Sequence, residues 1–244
     1  MDKDTFIKSV SNLDVEMSSL PCQKKNALPI IDGIINLNSY YESNNRILFV
    51  LKNPYSMIDD NGGWSVVKSL NEKQSLKEQD RQGRPTFQIL VAIVSTIINK
   101  NVSLDVEYLN SDEAYDLFKN NSAYINICKE LVIGKTRSND KLLKTSYKNN
   151  KEFIIKQIET YNPKYIILGG TLKYVKENNK TKVNILDAEN LTLINEYNRC
   201  KVFTSNKRIY IAVDHPSYPM LSYAKKYITA QEYCNNILKV VKTL

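Results

Sequence analysis

The chain has 244 residues, 42% of them hydrophobic and 9% aromatic, and carries 34 Lys plus Arg against 26 Asp plus Glu, a formal charge of +8 with its single His neutral. That size and apolar content suit one domain with a substantial core, while 7 Gly and 7 Pro exclude a collagenous or low-complexity chain. The basic balance favours an anionic partner such as nucleic acid, although a chain rich in Lys, Asn, Ile and Tyr reaches the same charge without one.

The opening residues, Met1 to Phe6, lack the basic segment and apolar stretch of a secretory signal, which predicts a cytoplasmic protein. Between Thr5 and Glu42, apolar residues such as Leu28, Ile31, Ile34, Ile35 and Leu37 recur at helical spacing and predict two helices divided near Pro21. Residues 46–51 form a continuous apolar run between Asn44-Asn45 and Asn53-Pro54, the pattern of a strand buried on both faces. Residues 59–85, rich in Asn, Gly, Lys and Gln, predict a long loop. A helix follows over 87–99, in an apolar stretch too short to cross a membrane, and another over 112–120. Residues 123–128 repeat the buried-strand pattern, followed by a helix over 149–161. A third run over 164–168 ends at Gly169-Gly170 and leads to a helix over 172–178. Residues 201–204 form a short strand before the fourth run, 208–213, with Ser205 to Lys207 as a possible hairpin turn. The last helix is expected over 221–242.

Buried strands alternating with helices predict an α/β fold: a three-layer α/β/α sandwich with a central, mainly parallel four-stranded sheet. The chain reads as one domain over 1–244, with a helical part to 44, a core over 45–220 and a C-terminal helix from 221. Cys22, Cys128, Cys200 and Cys234 are scattered without a C-x-x-C pair, so reduced thiols are expected and no metal site is.

Ligands of open α/β sheets sit beyond the carboxyl ends of the strands. There the first run exits into Lys52-Asn53-Pro54-Tyr55-Ser56, the second carries Asn126, and the fourth exits into Asp214-His215-Pro216-Ser217-Tyr218-Pro219. With Asn-Pro after the first buried strand and His-Pro-Ser after the last, the chain resembles the uracil-DNA glycosylase superfamily over roughly residues 45–220. The resemblance implies that the Asn53 motif, with Pro54 and Tyr55, positions the hydrolytic water and the base. It implies that His215-Pro216-Ser217 binds the departing base and its phosphate, and that Asn126 reads the pyrimidine edge. Gly169-Gly170 stands where the family has a strand ending in Trp-Gly, without the Trp. Lys52 replaces the family's small or polar residue, Tyr218-Pro219 interrupts its Pro-Leu, and the four clustered cysteines of the iron–sulfur branches are missing.

The chemistry can also be argued from the side chains. Breaking an N-glycosidic bond leaves a sugar cation and a base anion, so negative charge on the base must be stabilised and water supplied on the opposite face of the sugar. A neutral His215 suits the first task as a hydrogen-bond donor. Asn53 suits the second, but an amide takes no proton at neutral pH, so catalysis is slow unless Asp59, Asp60 or Asp214 helps. Asn126 offers an acceptor and a donor side by side to a base flipped from the stack. Trp64, 11 positions after Asn53 and preceded by Gly62-Gly63, is preferred over Phe87 as the aromatic floor. Ser56, Ser217 and Tyr218, with Lys135 and Arg137, are expected on the DNA backbone, and Met220 or Leu221 in the space the base vacates.

Plainer structural roles stand beside these. Asn53-Pro54 serves equally as a strand-stopping turn, Trp64 as core, and Met220-Leu221 as the start of an amphipathic helix. A sole His placed in His-Pro-Ser at a strand exit fits a structural role least. The expectation is a monomeric, monofunctional DNA N-glycosylase with no cofactor, acting on DNA and not at a membrane. Two rivals stand beside it: a weak or inactive fold relative that binds DNA or nucleotide, and a hydrolase of free nucleosides or nucleotides.

Overall fold

The computed structural model describes residues 1–24, 26–56, 61–74, 84–100, 103–133, 139–179, 182–217 and 230–241. Helix α1 (Lys3–Ser18) starts where the Asp2 carboxylate accepts the Thr5 N–H at 2.9 Å, and Phe6, Val10, Leu13 and Met17 form its buried stripe. The second expected helix is reduced to its last residues, 37–42. Residues 28–34 are extended, with bridges from Leu28 to Gly62 and from Ile31 to Ser65, and end in strand β1 (Gly33–Ile34) before the short helix α2 (Leu37–Glu42). Pro29 cannot donate within a helix. Gly33 has φ +146, with the Tyr161 hydroxyl 2.8 Å from where a Cβ would sit, so the chain there needs glycine in extended backbone.

The four apolar runs become β2 (Ile47–Leu51), β4 (Ser122–Asn126), β6 (Tyr165–Gly169) and β11 (Ile209–Val213), paired in parallel in the order β4-β2-β6-β11. The expected three-layer sandwich on a four-stranded sheet is nevertheless overturned. The sheet has nine strands and curls into a half-barrel. β1 adds antiparallel to β4, and β10 (Cys200–Thr204), β9 (Ala188–Tyr197), β8 (Lys182–Ile185) and β7 (Lys176–Asn179) extend it antiparallel beyond β11.

The expected helix over 172–178 therefore stops as α8 (Leu172–Val175) and turns into β7. The outer part of this extension left little apolar pattern: β7 is polar, and in β9 the one buried residue is Leu191. A buried ion pair fixes it to the core. Arg208 Nη1 lies 2.6 Å from Asp187 in the β8–β9 turn, and the Tyr210 hydroxyl donates to the same carboxylate at 2.7 Å. Ser205 to Lys207 do form the turn between β10 and β11.

Alternate residues of the parallel strands face two cores. Ile47, Phe49 and Leu51 pack with α4 (Arg84–Asn99), α6 (Asp112–Asn121) and α9 (Ala230–Val241), while Leu48 and Val50 pack with α1 and α7 (Asp140–Tyr161). Helix α7 begins nine residues earlier than expected, because the Asn139 side chain caps it by accepting the Lys141 N–H at 2.9 Å. The expected loop over 59–85 contains the Gly62 and Ser65 bridges and α3 (Val66–Glu72). Strands β3 (Tyr55–Ser56) and β5 (Val132–Ile133) pair in parallel apart from the main sheet, and α5 (Val106–Leu109) precedes α6. No described helix is long and apolar enough to cross a membrane. All four cysteines are free thiols.

Candidate active site at the exits of the parallel strands

The carboxyl ends of the four parallel strands lie side by side. Asn126 pairs with Leu51, and Val213 with Gly169. Gly169 and Gly170, at the exit of β6, separate the two motifs and let them close on each other. A Cβ on Gly169 would collide with Leu51 Cδ2 and sit 3.0 Å from Pro216. A Cβ on Gly170, at φ +67, would sit 3.0 Å from both Cβ and N of His215 and 3.2 Å from Cε of Lys52. The Gly170 N–H donates to the Val213 carbonyl at 2.8 Å, fixing the exit of β11 beside it.

His215 is half-buried. Its Nδ1 accepts the Ser217 N–H at 3.2 Å and lies 2.8 Å from the Ser217 hydroxyl. An accepting Nδ1 leaves the ring proton of the neutral imidazole on Nε2. Burial, and then the nearby Lys52 ammonium, push the imidazolium pKa down to about 3, so the ring is a neutral donor at physiological pH. Ser217, expected on a DNA phosphate, here orients the imidazole.

Asn53 is half-buried, and its Nδ2 donates to the Pro54 carbonyl at 3.0 Å. Pro54 is buried, and its carbonyl also accepts the Val132 N–H at 3.1 Å, which ties the first motif to the segment after β4. Tyr55 and Ser56 continue this tie as β3. Asp214, a candidate helper of Asn53, instead meets Arg199 Nε at 3.0 Å; burial raises its pKa, while Arg199 and Lys52 hold it down.

Asn126 is 1% exposed, and among the described residues neither its Oδ1 nor its Nδ2 has a hydrogen-bond partner. Burial pushes the pKa of the neighbouring Tyr124 phenol up, and the Asn126 amide beside it acts in the opposite sense. Leaving a buried donor or acceptor unpaired costs about 1–3 kcal/mol, so this amide, without a partner among the described residues, calls for one. Its backbone is held firmly. The Asn126 N–H donates to Asp32 Oδ2 at 2.8 Å, Lys129 Nζ reaches both Asp32 oxygens at 2.8 Å, and Gln157 Nε2 donates to Asp32 Oδ1 at 3.1 Å. Burial lowers the Lys129 pKa, and Asp32 opposes that shift. Sequence reasoning missed this buried network, although an Asp inside Ile30-Ile31-Asp32-Gly33-Ile34-Ile35 signals one, because a fully buried carboxylate requires a partner.

Trp64 is 38% exposed and lies on the segment paired with residues 28–31, its carbonyl accepting the Ile31 N–H at 3.0 Å, one segment further out than the chain that meets Lys129. Gly62 serves that pairing, since its Cβ would collide with the Leu28 carbonyl at φ +78. Phe87, on α4, stacks 6.1 Å from Tyr124, two residues before Asn126 on the same face of β4. Lys135, Arg137, Tyr218, Met220 and Leu221 lie outside the described residues, as do Asp59 and Asp60. Two small clefts, one beside Lys129 and Glu130 and one lined by Arg199, Val213, Asp214 and Tyr233, take in neither His215 nor Asn126. No protein-family model and no curated relative matches the chain.

Proposed function

We propose that the protein is a DNA N-glycosylase that hydrolyses the bond between deoxyribose and a flipped uracil-like or modified base. Asn126 carries this reading: a buried amide that has no hydrogen-bond partner among the described residues, at the strand exits that also bear a neutral His215. The base edge would occupy the Asn126 amide, with the ring near Phe87. The His215 Nε2–H would donate to a base oxygen that gains negative charge as the bond breaks, an interaction stronger in the transition state than before it. Asn53 would orient water toward the sugar. The formal charge of +8 supports a polyanionic substrate.

A second reading, a non-catalytic binder of DNA, is favoured by Asn53 itself, an amide at the water position with its Nδ2 held by the Pro54 carbonyl. A panel of oligonucleotides, each with one altered base and each single- or double-stranded, followed by alkaline cleavage, separates the two. Strand breaks at one lesion support the glycosylase. Salt-dependent binding with every strand intact transfers the assignment to the binder, and indifference to DNA with hydrolysis of free nucleosides removes both.

A further inference from the structure

In the mechanism above Lys52 acts only through its charge, which helps to keep His215 neutral. It is half-buried, directly precedes Asn53, and its Cε packs over Gly170, the glycine against which His215 also rests. The groups facing it are the Lys173 ammonium from α8, Asp140 at the start of α7, and Asp214 and His215 after β11. Burial, then the Lys173 charge, lower its pKa, while Asp140 and Asp214 act in the opposite sense. A desolvated lysine beside a second cation is the setting in which amines attack carbonyl groups.

We infer that Lys52 is the amine nucleophile of a second, strand-cleaving reaction, in which it forms an imine with the C1′ aldehyde of an abasic nucleotide held at the Asn53–His215 end of the sheet. The inference rests on the glycosylase reading, whose product is this abasic sugar, and it makes the protein bifunctional. The unprotonated Nζ adds to C1′ of the ring-opened sugar, and the carbinolamine loses water as the C=N bond forms. The iminium acidifies C2′; its proton passes to water, and the released electron pair forms the C1′–C2′ double bond of an enamine. The enamine π pair then becomes the C2′–C3′ double bond as the C3′–O bond breaks, the 3′-phosphate leaves with that bond's electrons, and the nitrogen lone pair restores the C1′–N iminium. Water then hydrolyses the imine and restores the lysine, so no oxidant or reductant is needed.

The test uses the whole protein and a duplex oligonucleotide with one preformed abasic site, in the presence of borohydride, which reduces the imine to a stable amine. A covalent protein–DNA adduct is expected, mapped by mass spectrometry to Lys52, lost in Lys52→Arg and kept in Lys173→Arg. Mapping on the wild-type protein keeps the test valid even if Lys52→Arg folds poorly. No adduct, an adduct on another amine, or one that persists in a folded Lys52→Arg overturns the inference. Because the abasic site is supplied ready-made, release of an altered base without an adduct removes the lyase alone, whereas an adduct without base release removes the glycosylase alone.

Discussion

At the scale of single residues, His215 is the most exposed to test, because it is the one His in the chain and its titration is unambiguous. Its folded pKa, near 3, lies below the ordinary value of 6.5, so the folded state binds fewer protons than the unfolded state between those values. Stability from this group is therefore complete above pH 6.5 and is lost as pH falls toward 3. Ring NMR signals should stay at their neutral shifts from pH 8 to about 4.5, and the melting temperature of His215→Gln should fall less steeply than that of wild type over the same acid range. A ring midpoint near 6.5 would show that the imidazole is neither buried nor influenced by Lys52.

At the scale of elements, the strands buried on both faces were legible because their runs are apolar almost throughout, with Asn126 the exception in the second, and the Asn53 and His215 motifs were legible because they directly follow such runs. The rest was hidden for physical reasons. β7 is polar, β8 is only four residues long and β9 is largely exposed, so they offer too little apolar pattern to read as strands. Residues 28–35 have apolar spacing that fits a helix, and only Pro29 and Gly33 argue for extended backbone. Gly62-Gly63, which singled out Trp64 in the sequence, lies against Leu28. The Asp32, Lys129 and Gln157 network joins residues far apart in sequence that meet only in three dimensions. It also makes a prediction. Removing one partner of a buried pair leaves an unbalanced charge, so Asp32→Asn should lower the unfolding free energy in urea at pH 7 by about 3–5 kcal/mol, less whatever Lys129 recovers by shedding its proton. A loss below about 1 kcal/mol would mean that the pair is solvated and does not hold Asn126.

At the scale of the whole molecule, the half-barrel separates two tasks. Its antiparallel extension, pinned by Arg208 and Asp187, broadens the sheet away from the site, while the four parallel strands bring Asn53, Asn126 and His215 to one end. The central claim is that a neutral imidazole at that end stabilises a departing base. Single-turnover release of free base from the preferred oligonucleotide, with DNA affinity measured in parallel, tests it most directly. The account predicts that His215→Ala slows release by about 100- to 1,000-fold while DNA affinity changes little. Equal release rates in wild type and His215→Ala would contradict it.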